Sequence, residues 1–365
     1  MSLFHYILWD VDPSIFNLGV REVRWYGLLW ALSFLIGQQI MTWSFSLAGR
    51  DKKEAESLTI YMIVATVIGA RLGHCLFYEP DYYLQAENFL EIFAVWQGGL
   101  ASHGAAVGIF VGLYLFTRKY KPRSFFWVVD RVAITVALAG ALIRFGNAMN
   151  SEIIGKPSDS KQSFAFMENA RKLINYPQVL DVSFKKTTHD TAVADFTYPK
   201  VQVKVELTNK FANESSVEKY TQNTLLTRIR SIETNRSISD MHHLVLLGSN
   251  PIITSKKTQD GWVSSFEAFV VTRHPAQLYE AFSCFILFLI LFGIFYKLRE
   301  DTPEGLLFGI FLIVVFSLRI VWETMKEAQV DFEKGMTLNM GQWLSIPLIL
   351  FGIYSIVQSF RNKKA

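Results

Sequence analysis

A chain of 365 residues would ordinarily hold roughly two or three soluble domains, but hydrophobic residues make up 51% of this one and its mean hydropathy is positive. The net charge of +4 is too small to point to nucleic acid as a partner. The two cysteines, Cys75 and Cys284, both lie inside apolar stretches and supply no disulfide framework.

Seven stretches are apolar over the roughly 20 residues that a helix needs to cross the hydrocarbon of a bilayer. They are Trp25–Leu47, Leu58–Tyr78, Gly98–Phe116, Phe125–Met149, Ala276–Tyr296, Pro303–Val321 and Met340–Phe360. No cleavable signal peptide is expected ahead of them, because Met1–Arg24 is interrupted by Asp10, Asp12, Pro13, Arg21 and Glu22. Trp and Tyr sit near many of the span ends, as an aromatic belt requires.

The loop charges orient the spans. Arg50, Lys52 and Lys53 follow the first, Arg118, Lys119, Lys121 and Arg123 the third, and Lys297 and Arg299 the fifth. Arg361, Lys363 and Lys364 follow the seventh, whereas Glu79–Gln97 on the opposite side carries no basic residue. Basic residues favour the cytoplasm, so the N-terminus is expected outside and the C-terminus inside, which requires an odd number of spans.

Between the fourth and fifth spans lies a long polar segment, residues 156–273. Val179–Lys185 and Val201–Thr208 alternate with the period of strands, and Asn223–Glu233 has helical spacing. The expected architecture is thus an all-α polytopic membrane protein of about seven transmembrane helices with an inserted small α+β extracytoplasmic domain. Its parts are 1–155 (four spans), 156–273 (the insertion) and 274–365 (three spans). His189, His242 and His243 in the insertion show no metal-ligand spacing, and no cofactor is expected.

Ionisable residues inside apolar spans are costly and by default mark function. The densest group closes the fourth span, where Arg144, Asn147, Asn150 and Glu152 occur within IRFGNAMNSEIIG, followed by Gly155. Arg144, Asn147 and Asn150 are spaced by three and share a helix face, offering a guanidinium fork suited to phosphate beside two amides. Alone, Arg144 reads equally as a snorkelling residue. Arg319 and Glu323 on the sixth span are four apart and can pair, with Lys326 close behind. The alternative there is an internal structural ion pair.

His103, in QGGLASHGAAVG, is wrapped in small residues that admit a backbone or a substrate, and reads as structural or as a proton carrier. His74, preceded by Arg71, is a weaker candidate, and Tyr26 is either a belt aromatic or a residue that orients a headgroup. All of these fall at the outer ends of spans. Polar groups gathered at one interface suit an anionic amphiphile better than a path for ions through the membrane.

Several runs together resemble the prolipoprotein diacylglyceryl transferases: WYGLLWALSF at Trp25–Phe34, GARLGHCLFY at Gly69–Tyr78, GGLASHGAAVG at Gly98–Gly108 and IRFGNAMNSEIIG at Ile143–Gly155. RHPAQLYEAF at Arg273–Phe282, RIVWE at Arg319–Glu323 and MGQWLSIP at Met340–Pro347 complete the set. The resemblance implies transfer of a diacylglyceryl group from phosphatidylglycerol to the lipobox cysteine of a preprolipoprotein at the bacterial inner membrane. Its partners would be that lipid, the lipobox segment and the surrounding membrane lipids. It implies catalytic parts for Arg144, Arg319, His103 and Tyr26, and substrate binding by Asn147, Asn150, Glu152, Gly155, Glu323, Lys326 and Arg71. Ile143, Ala148 and Lys326 depart from the family pattern, the last standing where arginine is common, and the insertion is longer than in the familiar members. A transporter of anionic lipids and an inactive, binding-only relative are the competing readings. The first lacks visible inverted repeats, and the second would not need the retained charged set.

Overall fold

The computed structural model describes residues 6–364, except 18, 20, 21, 96–98, 100, 122, 123, 194, 195, 235–242, 248–250 and 327–337. His242, Gly98, Arg123 and the side chain of His189 therefore lie outside the described residues. Three short strands, β1 (Ile7–Trp9), β2 (Ser14–Asn17) and β3 (Glu22–Arg24), precede the long helices α1 (Trp25–Leu47) and α2 (Lys52–Phe77). A single turn α3 (Pro80–Tyr83) leads to α4 (Ser102–Tyr120) and α5 (Phe125–Met149). The polar segment holds β4 (Phe164–Phe166), α6 (Met167–Leu173), β5 (Val179–Val193), β6 (Phe196–Leu207), α7 (Glu214–Tyr220) and α8 (Thr227–Thr234). It ends with β7 (Leu244–Val245), β8 (Thr254–Lys257) and β9 (Trp262–Val270). Three helices close the chain: α9 (Ala276–Leu298), α10 (Leu306–Met325) and α11 (Met340–Lys364).

Among the described residues, six helices are long and apolar enough to cross a membrane: α1, α2, α5, α9 with the turn that extends it to Asp301, α10 and α11. The chain is a polytopic membrane protein. The stretch expected as the third span forms α4, a 19-residue helix that starts at Ser102 rather than Gly98. It falls outside that set of six because His103, Arg118 and Lys119 lower its hydropathy.

The chain divides into two compact units, and α1, α5, α9 and α10 each supply residues to both. One comprises residues 1–29, 143–281 and 321–339. Its main sheet has the order β5-β6-β9-β7, with β8 also pairing β9, all antiparallel. The period-two run in β6 explains its core: Val201, Val203, Val205 and Leu207 are fully buried, and Lys204 and Glu206 between them are exposed. Val217, Leu225, Leu226 and Ile229 cover that face. A reciprocal cap, in which Asn213 Oδ1 accepts from Ser216 N at 3.0 Å, starts the covering helices. The expected strand at Val179–Lys185 runs on to Val193, and β8 and β9 extend the sheet beyond the two strands expected.

The other unit comprises residues 30–142, 282–320 and 340–365. Its tightest seam is between α2 and α4. A Cβ on Gly104 would lie 2.3 Å from the Gly69 carbonyl oxygen and 2.6 Å from Gly73 Cα. One on Gly108 would lie 2.2 Å from the Ala65 carbonyl oxygen. Glycines at four-residue spacing on both helices therefore bring the two backbones into contact. Elsewhere in this unit Asp130 accepts from Gly305 N (2.7 Å) and Phe308 N (2.8 Å), capping the start of α10. Beside it, Arg131 lies 3.6 Å over the Trp127 ring and pairs with Glu300 at 2.6 Å.

The α2–α4 seam leaves no room for a methyl group. Gly104→Ala should force the helices apart and destabilise the protein by about 1–3 kcal/mol, the usual cost of overpacking. Thermal unfolding in detergent would read this as a lower midpoint, whereas Gly27→Ala, with nothing within 4 Å of the added methyl, should leave it unchanged.

Candidate active site

The end of α5 is shaped by its own sequence. Ser151 and Ile153 both have φ of 54°, a left-handed conformation that is unusual for a β-branched residue. The chain turns sharply there, and Glu152 N donates back to the Asn147 carbonyl at 2.9 Å. The Glu152 carboxylate then accepts from Asn147 Nδ2 (3.1 Å) and Asn150 Nδ2 (3.3 Å). Asn147 is buried, and its Oδ1 stands 3.5 Å from Arg144 Nη1.

Arg144 is fixed from the other side. Its Nε lies 2.5 Å from Oε2 of Glu280, on the second turn of α9. The other oxygen of Glu280, Oε1, accepts from Lys326 Nζ. Lys326 is buried and reaches Glu323 Oε1 at 3.3 Å, and Glu323 Oε2 accepts from Asn339 Nδ2 at 3.1 Å. Donors and acceptors thus alternate from Asn150 through Glu152, Asn147, Arg144, Glu280 and Lys326 to Glu323 and Asn339. Glu280 uses both oxygens to hold two cations; it engages Arg144 through Nε while Nη1 reaches Asn147 Oδ1, which leaves Nη2 of the guanidinium for another acceptor.

A backbone knot holds the helix ends together. Gly155 N donates to the His274 carbonyl (2.9 Å) and Lys156 N to that of Met325 (2.8 Å), while Gly155 and Lys326 form an antiparallel bridge. A Cβ on Gly155 would lie 2.7 Å from His274 Cβ and 2.9 Å from the Met325 carbonyl oxygen, so only glycine fits. The guanidinium of Arg273, fully buried, adds a bond from Nη1 to the Gly155 carbonyl at 3.3 Å. Tyr26 packs against Gly146, where a Cβ would stand 3.0 Å from its ring. A polar cleft of about 470 Å³ adjoins this end of α5, lined by Asn150, Glu152, the β2–β3 hairpin and α6.

The remaining expected residues belong to the other unit. Arg319 is an exposed residue of α10. His103 is exposed on the first turn of α4, with its ring edge-on to Phe77 (5.4 Å) and tilted against Tyr78 (5.6 Å). It closes one end of an apolar groove of about 690 Å³ between α2 and α4, walled by Leu72, Leu76, Val107 and Val111. Arg71 is buried and donates to the carbonyls of Ile92 (3.0 Å), Glu91 (2.6 Å) and Gly99 (3.4 Å), with Tyr83 beneath its guanidinium at 5.0 Å. It holds the loop after α3 in place.

Glu280 is the residue that sequence reasoning overlooks. It stands in the RHPAQLYE run and is an acid in an otherwise apolar span, a sufficient signal in itself. A search for phosphate-binding cations gives it no weight, because its part is to hold the cations.

The match to known proteins covers the whole of this arrangement. The profile of the family described as prolipoprotein diacylglyceryl transferase matches residues 13–358. A protein of Chloroherpeton thalassium named phosphatidylglycerol–prolipoprotein diacylglyceryl transferase is 33% identical, over 99% of this chain and 97% of its own length. Relatives of the same name from Tolumonas auensis (30%; 98% and 99%) and Porphyromonas gingivalis (31%; 99% and 98%) match equally fully. These full-length matches correct the expectation of an unusually long insertion, since the three relatives align with the chain across it.

Two outcomes test the geometry. Removing the charge with Glu280→Gln strands Arg144 and Lys326 in a poorly solvated site. It should cost about 3 kcal/mol, at the low end for a broken buried pair because Arg144 is 31% exposed, and would appear as a reduced thermal midpoint. His274, just ahead of α9, has its pKa lowered below the ordinary histidine value by burial. A folded state that disfavours the imidazolium keeps its full stability above the unfolded pKa of about 6.5 and loses it as pH falls below that value. The midpoint should therefore drop on acidification from pH 7 to 5.5, and His274→Gln should flatten that dependence. With its family profile, its relatives and its charged helix-end network in agreement, this chain belongs to the prolipoprotein diacylglyceryl transferase family, and it is an enzyme.

Proposed function

We propose that the chain transfers the diacylglyceryl group of phosphatidylglycerol to the thiol of a lipobox cysteine in a preprolipoprotein. The thiolate sulfur attacks the glyceryl carbon that bears the phosphate, a C–S bond forms, and the C–O bond to phosphate breaks. Its electron pair leaves with glycerol phosphate, and the product is a thioether. The observation that carries this reading is Arg144, held by Glu280 through Nε and by Asn147 through Nη1, with Nη2 left for an anion.

In this reading Arg144 binds the phosphate and stabilises the charge that develops on the departing glycerol phosphate. Arg319 supplies a second guanidinium and Tyr26 orients the headgroup, parts assigned to them by resemblance. His103 takes the thiol proton, which matters because a thiol in apolar surroundings is a poor nucleophile until deprotonated. Asn147, Asn150 and Glu152 set the wall on which Arg144 rests. Gly155, Glu323 and Lys326 set the floor, and Arg71 acts through the loop that it holds.

The same reading makes α4 a seventh span and puts the enzyme in the bacterial inner membrane with its N-terminus outside and C-terminus in the cytoplasm. Residues 156–273 then form an extracytoplasmic domain between 1–155 and 274–365. The polar cleft beside Asn150 and Glu152 suits the hydrophilic stretch of a client polypeptide emerging next to its cysteine.

The test is an assay with protein in detergent, phosphatidylglycerol and a lipobox-cysteine peptide, following glycerol phosphate release and peptide mass. Release should require the peptide cysteine and fall by at least about 100-fold in Arg144→Ala, the scale on which a single preorganised electrostatic donor acts. Equal rates with a serine peptide, or no loss in Arg144→Ala, would refute the assignment.

A further inference from the structure

Gln277 lies on the first turn of α9, three residues before Glu280, so the two side chains share a helix face. It is fully buried, and neither Oε1 nor Nε2 of its carboxamide has a hydrogen-bond partner. A buried amide left unsatisfied is a standing burden on stability, and an apolar side chain of the same shape would remove it. Glu280, on that same face, grips both Arg144 and Lys326. The Arg144 side chain is 31% exposed and that of Glu280 12%, while Gln277 is fully buried.

We infer that Gln277 reads the headgroup of the lipid donor, its carboxamide taking the glycerol hydroxyls of a phosphatidylglycerol whose phosphate sits at Arg144. This inference rests on the function proposed above. The chemistry selects the ligand: a carboxamide offers an acceptor and a donor side by side, and a hydroxyl both donates and accepts, so a glycerol headgroup satisfies both atoms. An ethanolamine ammonium has donors only and leaves Nε2 without a partner. A site built around hydrogen bonds to a hydroxyl rejects analogues that lack it far more strongly than an apolar pocket rejects a missing methylene. The unsatisfied amide is thus the cost of specificity.

The experiment compares phosphatidylglycerol with phosphatidylpropanol, which keeps the phosphodiester and lacks both headgroup hydroxyls, in wild type and Gln277→Leu. Wild type should favour phosphatidylglycerol in kcat/KM by about 100-fold or more. Gln277→Leu should raise KM for phosphatidylglycerol by roughly 10- to 100-fold, bring the preference close to one, and leave the thermal midpoint unchanged or higher. A purely structural glutamine predicts the opposite pattern, a lower midpoint with the preference intact. That pattern, or a wild type that uses both lipids equally well, overturns the inference. Should Gln277→Leu fail to fold, the wild-type comparison and Gln277→Met decide it. A well-folded wild type that transfers from neither lipid overturns the proposed function itself, and is distinct from transfer without preference.

Discussion

A carboxylate that must satisfy two cations in a poorly solvated place is the constraint around which the charged helix ends are organised. Glu280 does this with one oxygen each for Arg144 and Lys326. Ions with little access to water repay their desolvation only when geometry is close and every remaining lone pair is used. The network continues outward through amides and acids on both sides, from Asn150 to Asn339, with Asn150 Oδ1 the one buried atom of its described members left without a partner. The result is a guanidinium whose orientation is fixed by the fold. A charge preorganised in this way needs no reorganisation to meet a partner.

The same geometry accounts for a lysine at position 326. Its two acceptors are single oxygens on different carboxylates, Glu280 and Glu323, three residues away in sequence in the second case. A compact ammonium with rotatable donors can serve two separate oxygens, whereas a planar fork is matched to two oxygens of one group. A lysine therefore suits a position whose partners are two separate protein acids.

Much of this was legible beforehand. Helices are written in apolar length, so α1, α5, α9, α10 and α11 fall close to the stretches read from hydropathy. The Arg144–Asn147–Asn150 spacing announces a shared face, and the structure links its members. Less legible was what depends on partners far away in sequence. The extension of β5 and the addition of β8 and β9 are set by pairing with β6 and with each other, which a local period does not reveal. Gly155 is required by the backbones of His274 and Met325, far off in the sequence. Glu280 was in plain view as an acid in an apolar span, yet its meaning lay in the two cations it holds. Small residues around His103 signalled close approach, and Gly104 indeed meets a backbone, that of α2.

The backbone knot at Gly155 also fixes an order of events. Its strands come from three places in the chain: the exit of α5, the entry to α9, and the exit of α10. Synthesis delivers these in sequence, separated by the whole of residues 156–273, and contacts so distant in the chain form late. Arg144 therefore waits through the making of the polar domain and two more helices before Glu280 and Lys326 are both in place. A nascent chain that stops before α10 holds an arginine with an incomplete setting, and that setting is completed only when the last strand of the knot is laid down.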